Sequence, residues 1–283
     1  MPLALVITAP GINCDQELVQ AFRLAGAEVE SLLLKQLAAE PALVERFDLI
    51  GIPGGFSYGD DIAAGRIVAQ LIRQSVYPQL AAAIARGTPV ITPCNGFQIA
   101  VQCGLLPGPM HGGRWPAQAA TPVVALADNA SARFADRWVR VEVPDNTRCI
   151  WTRGLAATDR LGEASSRASS PQLMMLPIAH GEGRLIADAS LLDALESQGQ
   201  IALRYAADDN PNGSMREIAG ICDPTGVVFG LMPHPERFTR FTQHPFWTRF
   251  GEDVRSGEPL GLAMFKAAVG VASRRECAVT PAR

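Results

Sequence analysis

Short apolar runs alternate with amphipathic stretches over the first hundred residues. Apolar spacing predicts a helix at 15–27, which begins at Asp15 and ends near Gly26, and a helical stretch at 66–86 that is interrupted near Pro78. The runs that predict strands are LALVIT (3–8), EVESLLL (28–34), FDLIGIP (47–53) and TPVIT (88–92). This alternation of strands and helices predicts a parallel sheet with right-handed crossovers.

The apolar pattern is less regular between Pro107 and Pro171, where the small polar stretch 162–172 predicts a flexible surface loop. The remaining strand-like or apolar runs lie at 123–127, 138–143, 173–183, 201–206, 216–223 and 226–237. We see no internal repeat and no linker. The pattern therefore predicts one domain over 1–272, elaborated at about 110–172, with a flexible tail at 273–283. The expected fold class is α/β: an open, mostly parallel, twisted sheet with helices on both faces.

Composition agrees with that fold and excludes several classes of protein. The chain is 48% hydrophobic and 19% charged, whereas soluble domains average about 25% charged residues, and a covered sheet needs such apolar strands. A net charge of −3 argues against nucleic acid and anionic membranes as partners. No apolar run approaches the roughly 20 residues of a membrane span, and no basic residue precedes Arg23 as a signal peptide requires.

The cysteines place the chain in a reducing compartment. Six cysteines without a C-x-x-C pair form neither a disulfide scaffold nor an ordinary zinc motif. We therefore expect a reduced, cytoplasmic protein without a metal site.

Cys94 stands where the strand 88–92 turns into a helix, in VITPCNGFQIAVQCG. A sharp strand-to-helix turn exposes its central side chain, and a helix N-terminus stabilises a thiolate. A lone cysteine in such a place is more often an inert, buried residue, so the rest of the chain must decide. Cys103, further along the helix, is predicted to be a packing residue. Cys14, in INCD, lies at the same rim of the sheet and is the alternative nucleophile.

A histidine in GLMPHPER supplies the base that a cysteine nucleophile needs. His234 precedes Pro235, which holds it in an extended conformation, so His234 and Glu236 project to the same side. MPHPE alone would indicate a turn with a surface His and Glu. Together with the cysteine at the turn, it predicts a triad in which Glu236 orients His234 and His234 activates Cys94.

Backbone N–H groups near Cys94 are candidates for an oxyanion hole. Gly54 and Gly55 in PGGFSYGD allow the main chain to approach a ligand closely, and the N–H of Asn95 begins the helix after the nucleophile. An ordinary glycine-rich turn is the alternative. A phosphate-binding loop is not indicated, because no GK[ST] follows.

Seven segments occur in one order along the chain: PGINCD (10–15), PGGFSYGDD (53–61), CNGFQIAVQCGLLPG (94–108), PIAHGEG (177–183), NPNGS (210–214), IAGICD (218–223) and MPHPER (232–237). Together they resemble the class I (triad-type) glutamine amidotransferases, and more narrowly the glutaminase component of phosphoribosylformylglycinamidine (FGAM) synthase. The resemblance implies a flavodoxin-like amidotransferase fold. It also implies that Cys94 attacks L-glutamine to form a γ-glutamyl thioester, and that the ammonia passes to a synthetase subunit.

The resemblance also implies roles for further residues and for partners. Gln98 and Phe56 would contact glutamine, while His180, Glu182 and Asn212 would border the site. The chain would bind no cofactor, since ATP and Mg²⁺ belong to the synthetase. Its partners would be that synthetase subunit and a small accessory subunit.

Two features depart from the family's pattern. Thr92 and Pro93 precede the nucleophile where the family usually has Gly two residues before it, which leaves the shape of the turn open. The chain is also longer than a compact stand-alone subunit, which leaves the docking mode open. The alternatives to an FGAM synthase subunit are a stand-alone cysteine hydrolase or peptidase, an amidotransferase subunit of a different synthetase, and a non-enzymatic scaffold.

Overall fold

The computed structural model describes residues 1–109, 113–155 and 173–279, the side chains of 276–279 excepted. The predicted loop at 162–172 lies outside the described residues. Within them, the strands are β1 (Leu3–Thr8), β2 (Glu28–Leu33), β3 (Leu49–Gly51), β4 (Val90–Pro93), β5 (Val124–Asp128), β6 (Ala135–Glu142), β7 (Met175–His180), β8 (Glu182–Ala187), β9 (Ile201–Tyr205), β10 (Ile218–Cys222) and β11 (Val228–Leu231).

The central sheet is mixed. Its order is β2-β1-β3-β4-β11-β10-β9-β6-β7, and β5 pairs with β8 in a separate antiparallel ribbon. The strands from β2 to β11 are parallel, and the remaining four continue the sheet in antiparallel fashion. The predicted α/β fold with an open parallel sheet is therefore confirmed, with an antiparallel extension beyond β11.

Helices cover the sheet, and they are α1 (Asp15–Leu24), α2 (Leu34–Ala39), α3 (Arg66–Ser75), α4 (Tyr77–Ala85), α5 (Asn95–Gln102), α6 (Ala189–Ser197) and α7 (Leu260–Val279), with a short helical turn at Glu252–Arg255. Four successive residues of β1, from Ala4 to Ile7, are fully buried, so both faces of the sheet are covered there. On one of these faces the rings of Phe22 and Phe265 join α1 to α7 with centroids 5.2 Å apart. No described helix is long and apolar enough to span a membrane.

One helical segment agrees with the sequence prediction and another extends beyond it. The stretch 66–86 forms two helices, as the predicted interruption near Pro78 implies, because Val76 ends α3 and Pro78 lies in the first turn of α4, where its missing N–H is not needed. Residues 273–275, which we expected to begin a flexible tail, continue α7. Arg275 donates a hydrogen bond to the carbonyl of Arg86, and the Ser273 hydroxyl bonds within the helix. The proposed domain boundaries otherwise stay predictions.

Candidate active site

Cys94 occupies a strained position between β4 and α5. Its φ of 52° and ψ of −113° lie in a region that L-residues rarely adopt, and this strain is typical of a nucleophile held at a turn. The backbone N–H of Cys94 donates to the carbonyl of Leu231 at 2.7 Å, so the turn is tied to β11. Thr92 and Pro93 do not prevent this geometry, because both pair with β11 as regular residues of β4.

Two glycines allow the close packing around the turn. A Cβ on Gly96 would lie 2.0 Å from the carbonyl oxygen of Ile52, so helix α5 begins directly against the end of β3. A Cβ on Gly54 would lie 2.9 Å from Cε1 of His234 and 3.2 Å from Cβ of Cys94. The side chains of Cys94 and His234 are therefore packed together over Gly54.

His234 and Glu236 form a buried pair at the end of β11. Nδ1 of His234 lies 2.6 Å from Oε1 of Glu236, and the exposed fractions of the two side chains are 1% and 0%. The N–H of His234 donates to the carbonyl of Pro177 at 2.8 Å. Burial alone would lower the pKa of His234, but the Glu236 carboxylate and the sulfurs of Cys94 and Cys14 raise it well above 6.5.

Cys14 lies beside the triad. A Cβ on Gly54 would be 3.3 Å from its sulfur, and Nη2 of Arg237 donates to that sulfur at 3.0 Å. The thiol of Cys14 in turn donates to Oδ1 of Asn13 at 3.2 Å. These contacts were not predicted.

The spacing of Cys14, His234 and Glu236 is compatible with a bound metal ion. Ligand atoms of Cys14, His234 and Glu236 lie within 4.8 Å of one another. The guanidinium of Arg237 at the Cys14 sulfur opposes a cation, and Nδ1 of His234 is bound to Glu236. The expectation of no metal site stays a prediction.

The backbone near Cys94 agrees with an oxyanion hole. Gly55 has a φ of +142°, and a Cβ there would lie 2.7 Å from the backbone nitrogen of Asn13, so only glycine fits. In the part of the chain that the structure describes, the N–H groups of Gly55 and Asn95 take part in no hydrogen bond. The roles of Gly54, Gly55 and Asn95 in binding an oxyanion stay predictions.

A pocket of about 400 Å³ opens beside Cys94. Phe56 and Phe134 are both about half exposed, with ring centroids 6.3 Å apart, and they form its apolar part. The polar residues of its lining are Asp60, Gln98, Asp128, Arg133, His180 and Glu182. The volume falls in the range of small-molecule sites.

Three carboxylates give the pocket an acidic wall. Burial raises the pKa of Asp60. Burial makes the largest contribution to raising the pKa of Glu182, and the charges of Asp128 and Asp60 raise it further. Burial and mutual repulsion disfavour the charged forms of Asp60 and Glu182, so a cationic group bound beside these carboxylates would be stabilised.

Gln98 lines the pocket, as predicted for a residue one turn beyond Cys94. Its Nε2 donates to the carbonyl of Glu182 at 2.7 Å, and its Oε1 accepts from Nδ2 of Asn95 at 2.8 Å. Gln98 therefore fixes the wall formed by β8. Contact of Gln98 and Phe56 with glutamine stays a prediction.

His180 lies at the end of β7 and is 3% exposed. Its Nδ1 lies 3.0 Å from Oδ1 of Asn129, and burial, with a smaller contribution from His234, lowers its pKa to about 4. Asn129 was missed by the sequence analysis. The sequence offers little to identify Asn129, because it marks the residue only as an asparagine two positions after the strand-like run 123–127.

Asn212 is buried, and the pocket lining does not include it. Its Nδ2 donates to the carbonyl of Gly183 at 2.9 Å. A Cβ on Gly183 would lie 2.6 Å from the ring of His180, so Asn212 supports the backbone on which that ring rests. Of the three residues predicted to border the site, His180 and Glu182 line the pocket and Asn212 lies behind them.

Comparison with known proteins identifies the class to which this fold and site belong. Residues 1–270 match the family of the CobB/CobQ-like glutamine amidotransferase domain. A solved glutamine amidotransferase from Thermotoga maritima has a TM-score of 0.50 at 14% identity, over 96% of this chain and 97% of that chain, and it shares the fold.

Closer relatives are PurQ subunits of phosphoribosylformylglycinamidine synthase. The one from Dehalococcoides mccartyi is 38% identical over 272 residues, which cover 94% of this chain and 95% of the relative. The one from Treponema denticola is 36% identical over 289 residues, which cover 95% of this chain and 98% of the relative. A chain in the structure of PurLQS from Thermotoga maritima has a TM-score of 0.64 at 30% identity, over 95% of this chain and 98% of that chain.

The chain therefore belongs to the glutamine amidotransferases, and among these to the PurQ subunits of phosphoribosylformylglycinamidine synthase. The resemblance inferred from the seven segments is confirmed. So is the function it implied, that of the glutaminase subunit of FGAM synthase in purine biosynthesis.

Proposed function

We propose that this chain hydrolyses L-glutamine with Cys94 as the nucleophile, His234 as the base and Glu236 as the residue that orients the base. The observation that carries the proposal is the strained turn at Cys94, packed against a His234–Glu236 pair with atoms 2.6 Å apart, beside a pocket of about 400 Å³. Burial of the pair excludes water from the reacting atoms, which strengthens the electrostatic interactions among them.

In the first step, His234 takes the proton of Cys94. The Glu236 carboxylate raises the pKa of His234, which favours proton transfer to the imidazole, and the dipole of α5 stabilises negative charge at the sulfur. The thiolate attacks the side-chain carboxamide carbon of glutamine. The negative charge on the oxygen is stabilised by backbone N–H groups near Cys94, for which Gly54, Gly55 and Asn95 are the candidates.

In the second step, the imidazolium of His234 gives its proton to the carboxamide nitrogen, the C–N bond breaks, and ammonia leaves. Cys94 then carries a γ-glutamyl thioester. Neutral His234 takes a proton from water as that water attacks the thioester. His234 then gives this proton to the sulfur of Cys94, which restores the thiol as glutamate leaves. The carboxylate of Glu236 orients His234 and stabilises its imidazolium in each half of the cycle.

The acidic wall fits the α-ammonium of a free amino acid. We assign that group to the side of the pocket formed by Asp60, Asp128 and Glu182, and the α-carboxylate to Arg133, the basic residue of the lining. Gln98 and Phe56 complete the binding site. This arrangement favours free glutamine over a glutaminyl residue inside a peptide, whose α-nitrogen is uncharged.

The ammonia would pass to a synthetase subunit that converts formylglycinamide ribonucleotide to its amidine, with a small accessory subunit in the complex. Similarity to a chain in the PurLQS structure supports this composition. ATP and Mg²⁺ would be bound by the synthetase, because the chemistry of this chain needs only a nucleophile, a base and an orienting carboxylate. We place the complex in the cytoplasm, where the thiol of Cys94 stays reduced.

The test is Cys94→Ser, assayed for glutamate release and for FGAM formation by the complex with either glutamine or ammonium. We expect glutaminase and glutamine-dependent synthesis to be lost and ammonium-dependent synthesis to survive. Cys103→Ala, directly after the same helix and outside the pocket, is the matched control. A diazo-ketone analogue of glutamine should label Cys94 in the wild type, so retained glutaminase in Cys94→Ser, or labelling of Cys14, contradicts the proposal.

A further inference from the structure

The side chain of Asn95 is 1% exposed and connects the start of α5 to the loop that follows β3. Its Oδ1 accepts from the backbone N–H of Ser57 at 3.3 Å. Its Nδ2 donates to Oε1 of Gln98 at 2.8 Å and to Oδ1 of Asp60 at 3.4 Å. The orientation of the amide is therefore determined, because its oxygen faces a donor and its nitrogen faces two acceptors.

Gln98 continues this series of hydrogen bonds to the other wall of the pocket. Its Oε1 accepts from Asn95, and its Nε2 donates to the carbonyl of Glu182 at 2.7 Å. The series begins at a backbone donor, the N–H of Ser57, and ends at a backbone acceptor in β8. Each amide in the series thus has one orientation, and neither can turn over without breaking at least two hydrogen bonds.

The loop that carries Gly55 directs its backbone N–H groups to two different neighbours. The N–H groups of Phe56 and Tyr58 donate to carbonyls in the loop that follows β1, at 2.9 and 2.7 Å. The N–H of Ser57, between them, donates to Asn95 instead. The hydrogen bond to Asn95 therefore joins this pair of loops to the helix that follows the nucleophile.

The backbone of the same loop is strained just after Ser57. Tyr58, Gly59 and Asp60 have φ values of 53°, 71° and 53°, and the left-handed region is costly for the two that are not glycine. Such a segment keeps its conformation only where the surrounding structure fixes it. The hydrogen bonds of Asn95 with Ser57 and Asp60 fall on either side of this strain.

We infer that Asn95 assembles the oxyanion hole: its backbone N–H supplies one donor, and its side chain positions the loop that supplies the other. This inference rests on the proposed function, in which Gly55 and Asn95 are candidate donors to the oxyanion. Donors on two separate segments stabilise one oxygen only when they are held within about 0.5 Å of the productive geometry. The side chain of Asn95 provides that restraint, because it spans from the residue after Cys94 to the loop after β3.

The first variant is Asn95→Leu, which keeps the backbone N–H and the branched shape and removes the side-chain hydrogen bonds. We expect kcat for glutamate release by the complex to fall by about 100-fold, the loss typical of one misplaced oxyanion donor. Gln102→Leu is the matched control, because Gln102 lies on the same helix and donates to the carbonyl of Ala64 at 2.7 Å, outside the Cys94 pocket. The control should retain wild-type kcat.

Two further measurements separate positioning from a general structural role. Alkylation of Cys94 by iodoacetamide needs the thiolate but no oxyanion hole, so in Asn95→Leu its rate should stay within about threefold of the wild type. An alkylation rate that falls as far as kcat means that the turn itself is lost, and this overturns the inference. A higher KM with unchanged kcat also overturns it, because the side chain would then serve only glutamine binding through Gln98.

Asn95→Asp gives a pH-dependent form of the same link. A protonated carboxyl accepts and donates as the amide does, whereas an ionised one only accepts and would face the acceptor oxygens of Gln98 and Asp60. Burial and the charges of Asp60 and Glu182 raise the pKa of the introduced carboxyl, while Arg66 at the start of α3 lowers it. We therefore expect the ratio of its kcat to that of the wild type to rise about tenfold as the pH falls from 8 to 5.5. A ratio that does not change with pH overturns the inference.

Failure of this inference is distinct from failure of the proposed function. Cys94→Ser tests the nucleophile without reference to the side chain of Asn95. An unchanged kcat in Asn95→Leu would overturn the role of that side chain and leave the result for Cys94→Ser in place. If Asn95→Leu does not fold, the pH dependence of Asn95→Asp decides alone.

Discussion

Replacing Gly54 by alanine tests whether close packing sets the geometry of the triad. The backbone of Gly54 does not lie in the positive-φ region, so alanine brings no backbone strain. The added Cβ would lie 2.9 Å from Cε1 of His234, 3.2 Å from Cβ of Cys94 and 3.3 Å from the sulfur of Cys14. The perturbation is therefore one methyl group aimed at the catalytic pair.

The size of the effect follows from these distances. Non-bonded carbon atoms prefer separations of about 3.5–4.0 Å, so the His234 ring must move by roughly 0.6–1 Å. A displacement of about 1 Å in a catalytic group costs about 100-fold in rate, and we expect that loss in kcat for Gly54→Ala. The added methyl group should also lower the free energy of unfolding by about 1–3 kcal/mol, which is the usual cost of overpacking a core.

The assay is glutamate release by the complex at saturating glutamine, with thermal unfolding measured in parallel. Gly154→Ala is the matched control, because a Cβ at Gly154 would meet nothing within 4 Å. The control should retain wild-type kcat. If Gly54→Ala keeps kcat within threefold of the wild type while folded, the packing over Gly54 does not determine the triad geometry, and the reasoning is wrong.

Two further predictions concern titrating groups. Glu236→Gln removes the charge that raises the pKa of His234, so kcat should fall by about 100- to 10,000-fold. The alkaline limb of the pH–rate profile should also move to lower pH, and an alkaline limb that stays in place would contradict this. His180 has a pKa of about 4 in the fold against 6.5 when unfolded, so the unfolded chain binds more protons between these values, and stability is lost as the pH falls through this window. That loss is about 3 kcal/mol, and urea unfolding at pH 7 and pH 4.5 should show a smaller loss for His180→Asn than for the wild type.

Much of the site could be predicted because its signals are local in sequence. The turn at Cys94 follows from an apolar strand that meets a helix. The pairing of His234 with Glu236 was predicted from an extended backbone, but Pro235–Arg237 form a short 3-10 helix, and it is this turn that brings the two side chains together. Parallel strands bring the carboxyl-end loops to one rim, and the contacts of Gly54 with Cys94 and Cys14 agree with that expectation.

The contacts that sequence analysis missed join distant segments. Asn129 directly follows β5 and His180 ends β7, while Arg237 reaches Cys14 across 223 residues of chain. Neither pair leaves a periodic pattern, since a single Asn or Arg is compatible with any loop. β3 (Leu49–Gly51) is two residues shorter at each end than the predicted run 47–53, because the ends of an element are the part that a local pattern defines least.

The pairing of β4 with β11 has a consequence for control of the reaction. Cys94 directly follows β4, His234 lies three residues beyond the end of β11, and the two strands are hydrogen-bonded up to the pair Pro93 and Leu231. Nucleophile and base are thus parts of one rigid unit, and no hinge lies between them. A partner protein that switches this enzyme on or off would therefore leave β4 and β11 in place, and the half-exposed Phe56 and Phe134 at the pocket offer one place where it could act on substrate entry.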